Sequence, residues 1–361
     1  MKVQVVIGAN YGDEGKGLVS GCLARDAFKR GDRTLTVFYN GTSQRAHTFE
    51  GQIRRCTAAG TGYGSDTFYH ERFVIDPISI LITQAKPIID GRCRVILPCD
   101  VIRNRNAERG REHRHGSCGF GLFEAVRRFR EDPETRITAS DMLDSFELYV
   151  KLRKAEQRHG AFDDEIYNLH NFMLAADYIR RECPIRSFVD TVKDYDAVIF
   201  EGGQGLLLDQ GNEECFPHLT PSCTGSTMIA DDILKICEKP ELYYVSRSYM
   251  TRHGNGPMES ECTKEDINGA IVDETNQENE FQGALRFGKI DTDTLLKRVL
   301  DDAKLYGNRK SVNLVLTQLN YTDGKIASID GMKDISDIRI GNILVSDRKD
   351  KMEQYKKEQS I

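Results

Sequence analysis

Two loops of this chain hold residues suited to moving phosphate. The first reads Gly8-Ala9-Asn10-Tyr11-Gly12-Asp13-Glu14-Gly15-Lys16-Gly17. Its glycines let backbone N–H groups approach an anion, the helix expected to follow presents its positive end, and Lys16 adds a point charge. A carboxylate among phosphate-binding groups repels phosphate unless a metal ion or a proton transfer requires it. That marks Asp13 for Mg2+ ligation or general-base work. The loop departs from a Walker A motif, with Asn10 in place of its first glycine and Gly17 in place of its Ser or Thr. The second loop is Asn40-Gly41-Thr42-Ser43-Gln44-Arg45-Ala46-His47-Thr48. A single loop histidine is most often structural. His47 stands out because Arg45 neighbours it, and an imidazole there would stabilise charge on a transferring phosphoryl group.

Both loops follow apolar runs of strand character, Val3 to Ile7 and Thr34 to Tyr39. Leu18 to Lys29 has helical spacing of Leu18, Cys22, Leu23 and Phe28. The pattern of a strand ending in a polar loop recurs at Ala197–Phe200, Tyr243–Val245 and Val312–Thr317. Strands alternating with helical segments imply an α/β fold with a mainly parallel central sheet flanked by helices. Ligands of such sheets bind at the carboxyl ends of the strands, where these loops lie. No internal repeat or linker marks a domain boundary. The charged stretch Arg348–Glu358 is expected to be a solvated helix.

The 361 residues hold 50 Lys+Arg against 56 Asp+Glu, and the resulting net charge of −6 argues against a protein that coats DNA or RNA. The run Ile102–His115 contains Arg103, Arg105, Arg109, Arg111 and Arg114, but no interleaved aromatics for base stacking. No apolar stretch is long enough to span a bilayer, and the first residues read as a strand, not a signal peptide. The ten cysteines form no Cys-x-x-Cys pair or zinc spacing, so reduced thiols and a cytoplasmic location are expected.

The segment Gly12-Asp13-Glu14-Gly15-Lys16-Gly17, together with Ala46-His47-Thr48, resembles the two signature segments of adenylosuccinate synthetases. Phe200-Glu201-Gly202-Gly203-Gln204 through Asp209 resembles that family's Phe-Glu-Gly-Ala-Gln segment, Gly254-Asn255-Gly256-Pro257 its Gly-x-Gly-Pro turn, and Leu285–Asp291 the end of its arginine-rich substrate loop. The resemblance implies a single P-loop-NTPase-like unit over 1–361 and a ligase. A nucleoside triphosphate would phosphorylate the 6-oxygen of a purine nucleotide, and the amino group of L-aspartate would then displace phosphate at C6.

Residue by residue, it implies that Asp13 removes the N1 proton and that His47 stabilises or protonates the 6-oxygen and γ-phosphate. Asp13, Glu14, Gly15, Lys16, Gly17, Ala46, His47, Thr48, Arg286, Gln318, Leu319 and Asn320 would hold the triphosphate. Asp13, Lys16, Gln44, Arg45 and Gln204 would hold the purine nucleotide, with Ser117 and Thr220 on its 5′-phosphate. Gly283, Ala284, Leu285 and Arg286 would meet aspartate. Asp13 and Ala46 would hold Mg2+. A homodimer is implied, with one of Arg127, Arg128 or Arg130 crossing to a partner's phosphate site. A nucleotide-binding regulatory switch is the reading from another class, opposed by the Gln204 and Arg286 segments.

Three departures bear on substrate. Cellular members read guanine with Thr-Lys-Leu-Asp, where this chain has Thr317-Gln318-Leu319-Asn320. A carboxylate only accepts hydrogen bonds, whereas an amide also donates and matches adenine, so ATP or dATP is the expected donor. The segment Glu280 to Arg286 is shorter than the family's arginine loop and keeps one arginine, which suits a sugar without a 2′-hydroxyl. Gln44-Arg45-Ala46-His47-Thr48 replaces Asn-Ala-Gly-His-Thr. Together these resemble the phage branch, which makes N6-succino-2-amino-2′-deoxyadenylate from dGMP for diaminopurine DNA. Phage members commonly carry serine where Asp13 stands, so an IMP-using synthetase is the alternative.

Overall fold

The computed structural model describes residues 1–43, 45–112, 114–273, 276, 278, 280–307, 311–340, 342–348 and 351–355. Its centre is a nine-stranded sheet. The strands are β1 (Lys2–Gly8), β2 (Thr34–Phe38), β3 (Asp66–Tyr69), β4 (Ile88–Ile89), β5 (Ala197–Gly205), β6 (Glu241–Arg247), β7 (Val312–Thr317), β8 (Asn342–Arg348) and β9 (Lys351–Gln354). They lie in the order β9-β8-β7-β6-β1-β5-β2-β3-β4, parallel throughout except for the β8–β9 pair.

Alternate residues of β1 serve opposite faces of the sheet. Val3, Val5 and Ile7 join one core with Leu35, Val37, Phe200 and Leu314, while Val6 packs with Val19, Leu23 and Ala24. The last three belong to helix α1 (Lys16–Arg30). Covering both faces explains why every residue of β2 is buried, Thr34 and Thr36 included. A second core lies beside β3 and β4, where Phe38, Tyr69 and Ile89 meet helical residues such as Val101, Leu148, Leu152 and Phe172.

Within that helical layer, Arg128 forms a buried pair with Asp100, each side chain 1% exposed. Its guanidinium also donates to the carbonyls of Val95 and Thr135. Arg128 is thus committed to the interior and drops out of the three arginines considered for a subunit crossing. Arg127 pairs with Glu124, and Arg130, largely exposed, pairs with Glu131.

The C-terminal segment corrects the expectation of a helix. Within Arg348–Glu358, residues Lys351–Gln354 form the edge strand β9, antiparallel to β8, and 356–358 lie outside the described residues. Met352 packs on the α1 side of the sheet. The charges that suggested a solvated helix are those an edge strand carries to discourage further pairing. None of the ten cysteines is in a disulfide. Among the described residues no helix is long and apolar enough to cross a membrane.

Candidate active site

The flanking strands β5 and β6 both come much later in the chain than β1, and β2 lies beyond β5. The loop after β1 therefore opens where connections leave in both directions, the place at which parallel sheets bind ligands. Gly15 caps α1 with φ 101°, a conformation that favours glycine, and no side-chain hydrogen bond closes the helix end. The first N–H groups of α1 are thereby of the kind that binds an anion.

Polar contacts from two strands and a helix fix this loop. Thr317 Oγ1, at the end of β7, donates to the Glu14 carbonyl at 2.8 Å. Arg298 donates from Nε to the Ala9 carbonyl at 2.8 Å and from Nη2 to Asn10 Oδ1 at 2.7 Å. Arg247 Nε donates to the Asp13 carbonyl at 2.8 Å, and its Nη2 pairs with Asp273 Oδ2 at 2.7 Å.

The Glu14 side chain turns inward. One oxygen accepts from the Asn10 N–H, and the other lies 3.6 Å from Lys16 Nζ. Burial pushes this carboxyl above the usual range, with Lys16 offsetting part of the shift. Lys16 folds back over Gly8, so that a Cβ at position 8 would meet Nζ at 2.9 Å and Glu14 Oε2 at 2.1 Å. Asp13 differs from both: it has φ 58° and its side chain remains 45% exposed, with Oδ2 3.8 Å from His253 Nε2.

His47 comes from a hairpin of Ala46–Phe49 with Gln52–Arg55, in which Ala46 pairs with Arg55 and Thr48 with Ile53. Its ring lies against the first turn of α1, where a Cβ at Gly17 would come within 2.4 Å of Nδ1. Nε2 lies 3.0 Å from Glu201 Oε1. Glu201 sits in the interior of β5, fully buried, and accepts a 2.5 Å hydrogen bond from Ser20 of α1. Arg45 Nη1 lies 3.8 Å from the same carboxylate and donates to the Glu201 carbonyl at 3.2 Å, with its guanidinium 4.3 Å over the Phe38 ring. Burial would raise the Glu201 carboxyl, but His47, then Arg45 and Ser20, hold it down at about 2.

Gln204, at the end of β5 with φ 62°, rests on the first loop, its Oε1 3.3 Å from where a Gly12 Cβ would be. Asn40 ties the second loop to this strand, accepting from the Gly203 N–H at 2.5 Å and donating to the Cys223 carbonyl at 2.9 Å. Gln318, Leu319 and Asn320 follow β7 beside the phosphate loop. The Gln318 carbonyl accepts from Ser248, Leu319 is buried and Asn320 is exposed.

Three further segments converge on one border of the cleft. His218 Nδ1 meets the His115 carbonyl at 3.0 Å, and a Cβ at Gly116 would lie 2.6 Å from the Gly254 Cα, which brings the Ser117, Thr220 and Gly254–Gly256 segments together. The Ser117 hydroxyl donates to Asn104 Oδ1, and the Thr220 N–H donates to the Leu208 carbonyl. Arg286 holds this border, donating to the carbonyls of Gly254 and Gly256 at 3.0 and 2.9 Å while Glu261 engages Nε and Nη2. Gly283, Ala284 and Leu285 precede it. Nearby Phe281 packs on Gly119, under the guanidinium of Arg109.

The structure thus gathers Asp13 to Gly17, Arg45 to Thr48 and Gln204 around the amino end of α1, with Gln318 to Asn320 following Thr317, which bonds the Glu14 carbonyl. Arg286 lies at the Gly254–Gly256 turn, paired with Glu261. Gln44 lies outside the described residues. The arginine run is engaged within the chain: Arg103 with His159, Arg105 with Asp164, Arg109 and Arg114 with Glu280, and Arg111 with Glu108. Sequence reasoning missed Glu201, Arg247 and Arg298. A lone acid following an apolar strand is the signal for Glu201, whereas the two arginines had none.

For Mg2+, no group of three His, Cys, Asp or Glu suited to a metal occurs among the described residues. The exposed Asp13 carboxylate is a hard oxygen donor next to an anion site. That donor set fits a cation held by one carboxylate and completed by substrate phosphates.

Residues 5–292 match the family model described as adenylosuccinate synthetase. Adenylosuccinate synthetases of Cyanothece sp. and Caldicellulosiruptor saccharolyticus are 27% and 26% identical, each over 72% of this chain and over 62% and 65% of the relative, so the chain spans less than two thirds of these relatives' length. Among solved structures, fully ligated adenylosuccinate synthetase from Plasmodium falciparum superposes with a TM-score of 0.70 at 19% identity, covering 89% of this chain and 78% of that one. Cyanophage S-2L succinoaminodeoxyadenylate synthetase, bound to dGMP and dATP, gives 0.61 at 17% identity, covering 89% and 85%. With its two signature loops on one cleft and most of its length matched, the chain belongs to the adenylosuccinate synthetase family.

Proposed function

We propose that the protein is a ligase joining L-aspartate to C6 of a purine nucleotide at the expense of a nucleoside triphosphate, with dGMP as the nucleotide and ATP or dATP as the donor. The observation that carries the reaction class is the exposed Asp13 carboxylate just before the α1 amino terminus, together with the Glu201-held His47 against Gly17 in its first turn. Asp13 takes the proton from N1, which makes O6 nucleophilic. The α1 N–H groups and Lys16 hold the phosphates, and His47 stabilises charge at O6 and the transferred phosphoryl group. Once phosphorylated, O6 leaves as phosphate when the aspartate amine attacks C6. Asp13 and the Ala46 main chain would hold Mg2+, which when bound neutralises charge on the phosphates.

The preference for dGMP is supported by Asn320, by the contracted segment before Arg286, and by the fold shared with the cyanophage synthetase that binds dGMP and dATP. The retained Asp13 and the similarity to adenylosuccinate synthetases favour IMP as the second reading. Incubating the protein with L-aspartate, ATP, Mg2+ and either dGMP or IMP, and weighing the products, separates the two. A succino-adduct formed faster from dGMP is the expected result. Faster conversion of IMP transfers the assignment to the second reading, and no adduct from either removes the ligase.

A further inference from the structure

Arg45 turns its charge inward. Its side chain is 7% exposed, as enclosed as that of His47 at 9%. The guanidinium lies 4.3 Å over the Phe38 ring, and the His47 ring tilts against the same ring with centroids 5.8 Å apart. Nη1 donates to the Glu201 carbonyl at 3.2 Å and lies 3.8 Å from Glu201 Oε1. That is the oxygen His47 Nε2 approaches to 3.0 Å, while Oε2 accepts from Ser20. A carboxylate buried this completely needs compensating charge and hydrogen bonds close by, and a guanidinium supplies a permanent cation.

Gly203 of β5 makes the room for that guanidinium. A Cβ there would meet Arg45 Nη2 at 2.8 Å, and the Asn40 carbonyl and Oδ1 at 3.2 and 3.3 Å. The backbone at Gly203 is not left-handed, so close approach alone accounts for glycine at this position. Its N–H is held by Asn40 Oδ1 at 2.5 Å, which keeps the strand from backing away. A side chain at 203 must therefore move the guanidinium, and because that group is planar and rigid, Nη1 leaves Glu201 together with Nη2. Both positions depart from the family's segments. Arg45 stands at the alanine of Asn-Ala-Gly-His-Thr, and Gly203 at the alanine of Phe-Glu-Gly-Ala-Gln. A larger residue in the loop is met by a smaller one in the strand it packs on.

We propose that Arg45 and Gly203 are a matched pair: Gly203 admits the guanidinium, and Arg45 holds the Glu201 carboxylate against His47 as a positioning residue for phosphoryl transfer. Arg45 then makes no contact with the purine nucleotide, the role that its place in the loop suggests from sequence. The proposal rests on the role proposed for His47 in that transfer.

The test uses Arg45→Ala, Gly203→Ala and the double variant, with kcat and KM read for dGMP or IMP, whichever the wild type converts faster, at saturating ATP, Mg2+ and L-aspartate. A crystal structure of Gly203→Ala, which removes no charge, keeps the test open should Arg45→Ala fail to fold. Arg45→Ala should lower kcat by about tenfold or more and leave KM for the nucleotide within about twofold, because a loosened reacting group loses rate and not affinity. Gly203→Ala should lower kcat in the wild-type background and cost nothing further once residue 45 is alanine, since the space is then free. In the Gly203→Ala structure, Nη1 should stand away from Glu201 and the Glu201–His47 contact should lengthen. A raised KM with unchanged kcat in Arg45→Ala, or losses that multiply in the double variant, overturn the proposal. If the wild type makes no adduct, the ligase reading fails and the Gly203→Ala structure alone decides: a guanidinium still seated on Glu201 overturns the pairing, and a displaced one upholds it.

Discussion

Glu201 Oε1 lies 3.0 Å from Nε2 of His47, on side chains 0% and 9% exposed. The contact joins an interior position of a central strand to a hairpin residue and presses the imidazole onto the first turn of α1. It is an electrostatic contact without hydrogen-bond alignment, reinforced by Arg45 and Ser20. Glu201 thereby acts as a positioning residue for His47.

Replacing Glu201 by glutamine keeps the volume and removes the charge that holds the ring. A reacting group displaced by about 1 Å costs on the order of 100-fold in rate. Glu201→Gln should therefore lower kcat by roughly that factor with little change in KM for the triphosphate. Steady-state kinetics in both substrates check this, and a loss confined to KM would assign Glu201 to binding instead.

The same carboxylate makes a pH-dependent contribution to stability. Its value of about 2 in the folded chain is below the ordinary value of about 4.3. A depressed carboxyl stabilises the fold fully above its unfolded value and loses that contribution as pH falls to the folded value. The window is thus from about pH 4.3 down to about 2, and the contribution is about 3 kcal/mol. Urea unfolding across that window should show the wild type losing its advantage over Glu201→Gln as the pH falls. A constant difference between the two proteins contradicts this.

What the sequence made legible is local. A glycine-dense turn between an apolar run and an amphipathic segment marks the loop after β1, and the same alternation marks β2, β5, β6 and β7 with their loops. Residues whose meaning depends on distant partners were not legible. Arg128 and Arg127 are neighbours on one helix, yet only Arg128 meets Asp100 in the interior. Arg286 was read as a ligand contact, and its pairing with Glu261, 2.7 Å from Nε across two short paired strands, had no signal in the sequence. The Lys351–Gln354 segment has a helix-like charge pattern, and only its pairing with β8 makes it a strand.

The Arg128–Asp100 pair predicts a contrast between adjacent arginines. Arg128→Met leaves Asp100 buried and uncompensated and should destabilise the fold by about 3–5 kcal/mol. Arg127→Ala removes a partly exposed guanidinium and leaves the buried Glu124 with Arg103 beside it, so it should cost less than Arg128→Met. If Arg127 is the arginine that crosses to a partner subunit, its removal instead raises KM for the purine nucleotide. Chemical denaturation and nucleotide titration of the two variants measure both effects.

The proposed donor choice rests on Asn320. Asn320→Asp restores an acceptor-only group at this exposed position, and it should raise kcat/KM with GTP relative to ATP by about tenfold or more. Phosphate release with each triphosphate reads the ratio, and an unaltered ratio shows that the base is read elsewhere.

The central claim is that O6 is phosphorylated and leaves as phosphate. Its most direct measurement uses dGMP labelled with oxygen-18 at C6, incubated with L-aspartate, ATP and Mg2+. One labelled oxygen should appear in inorganic phosphate for every succino-adduct formed. Adduct formation with unlabelled phosphate, or with the label released to water, would contradict the account.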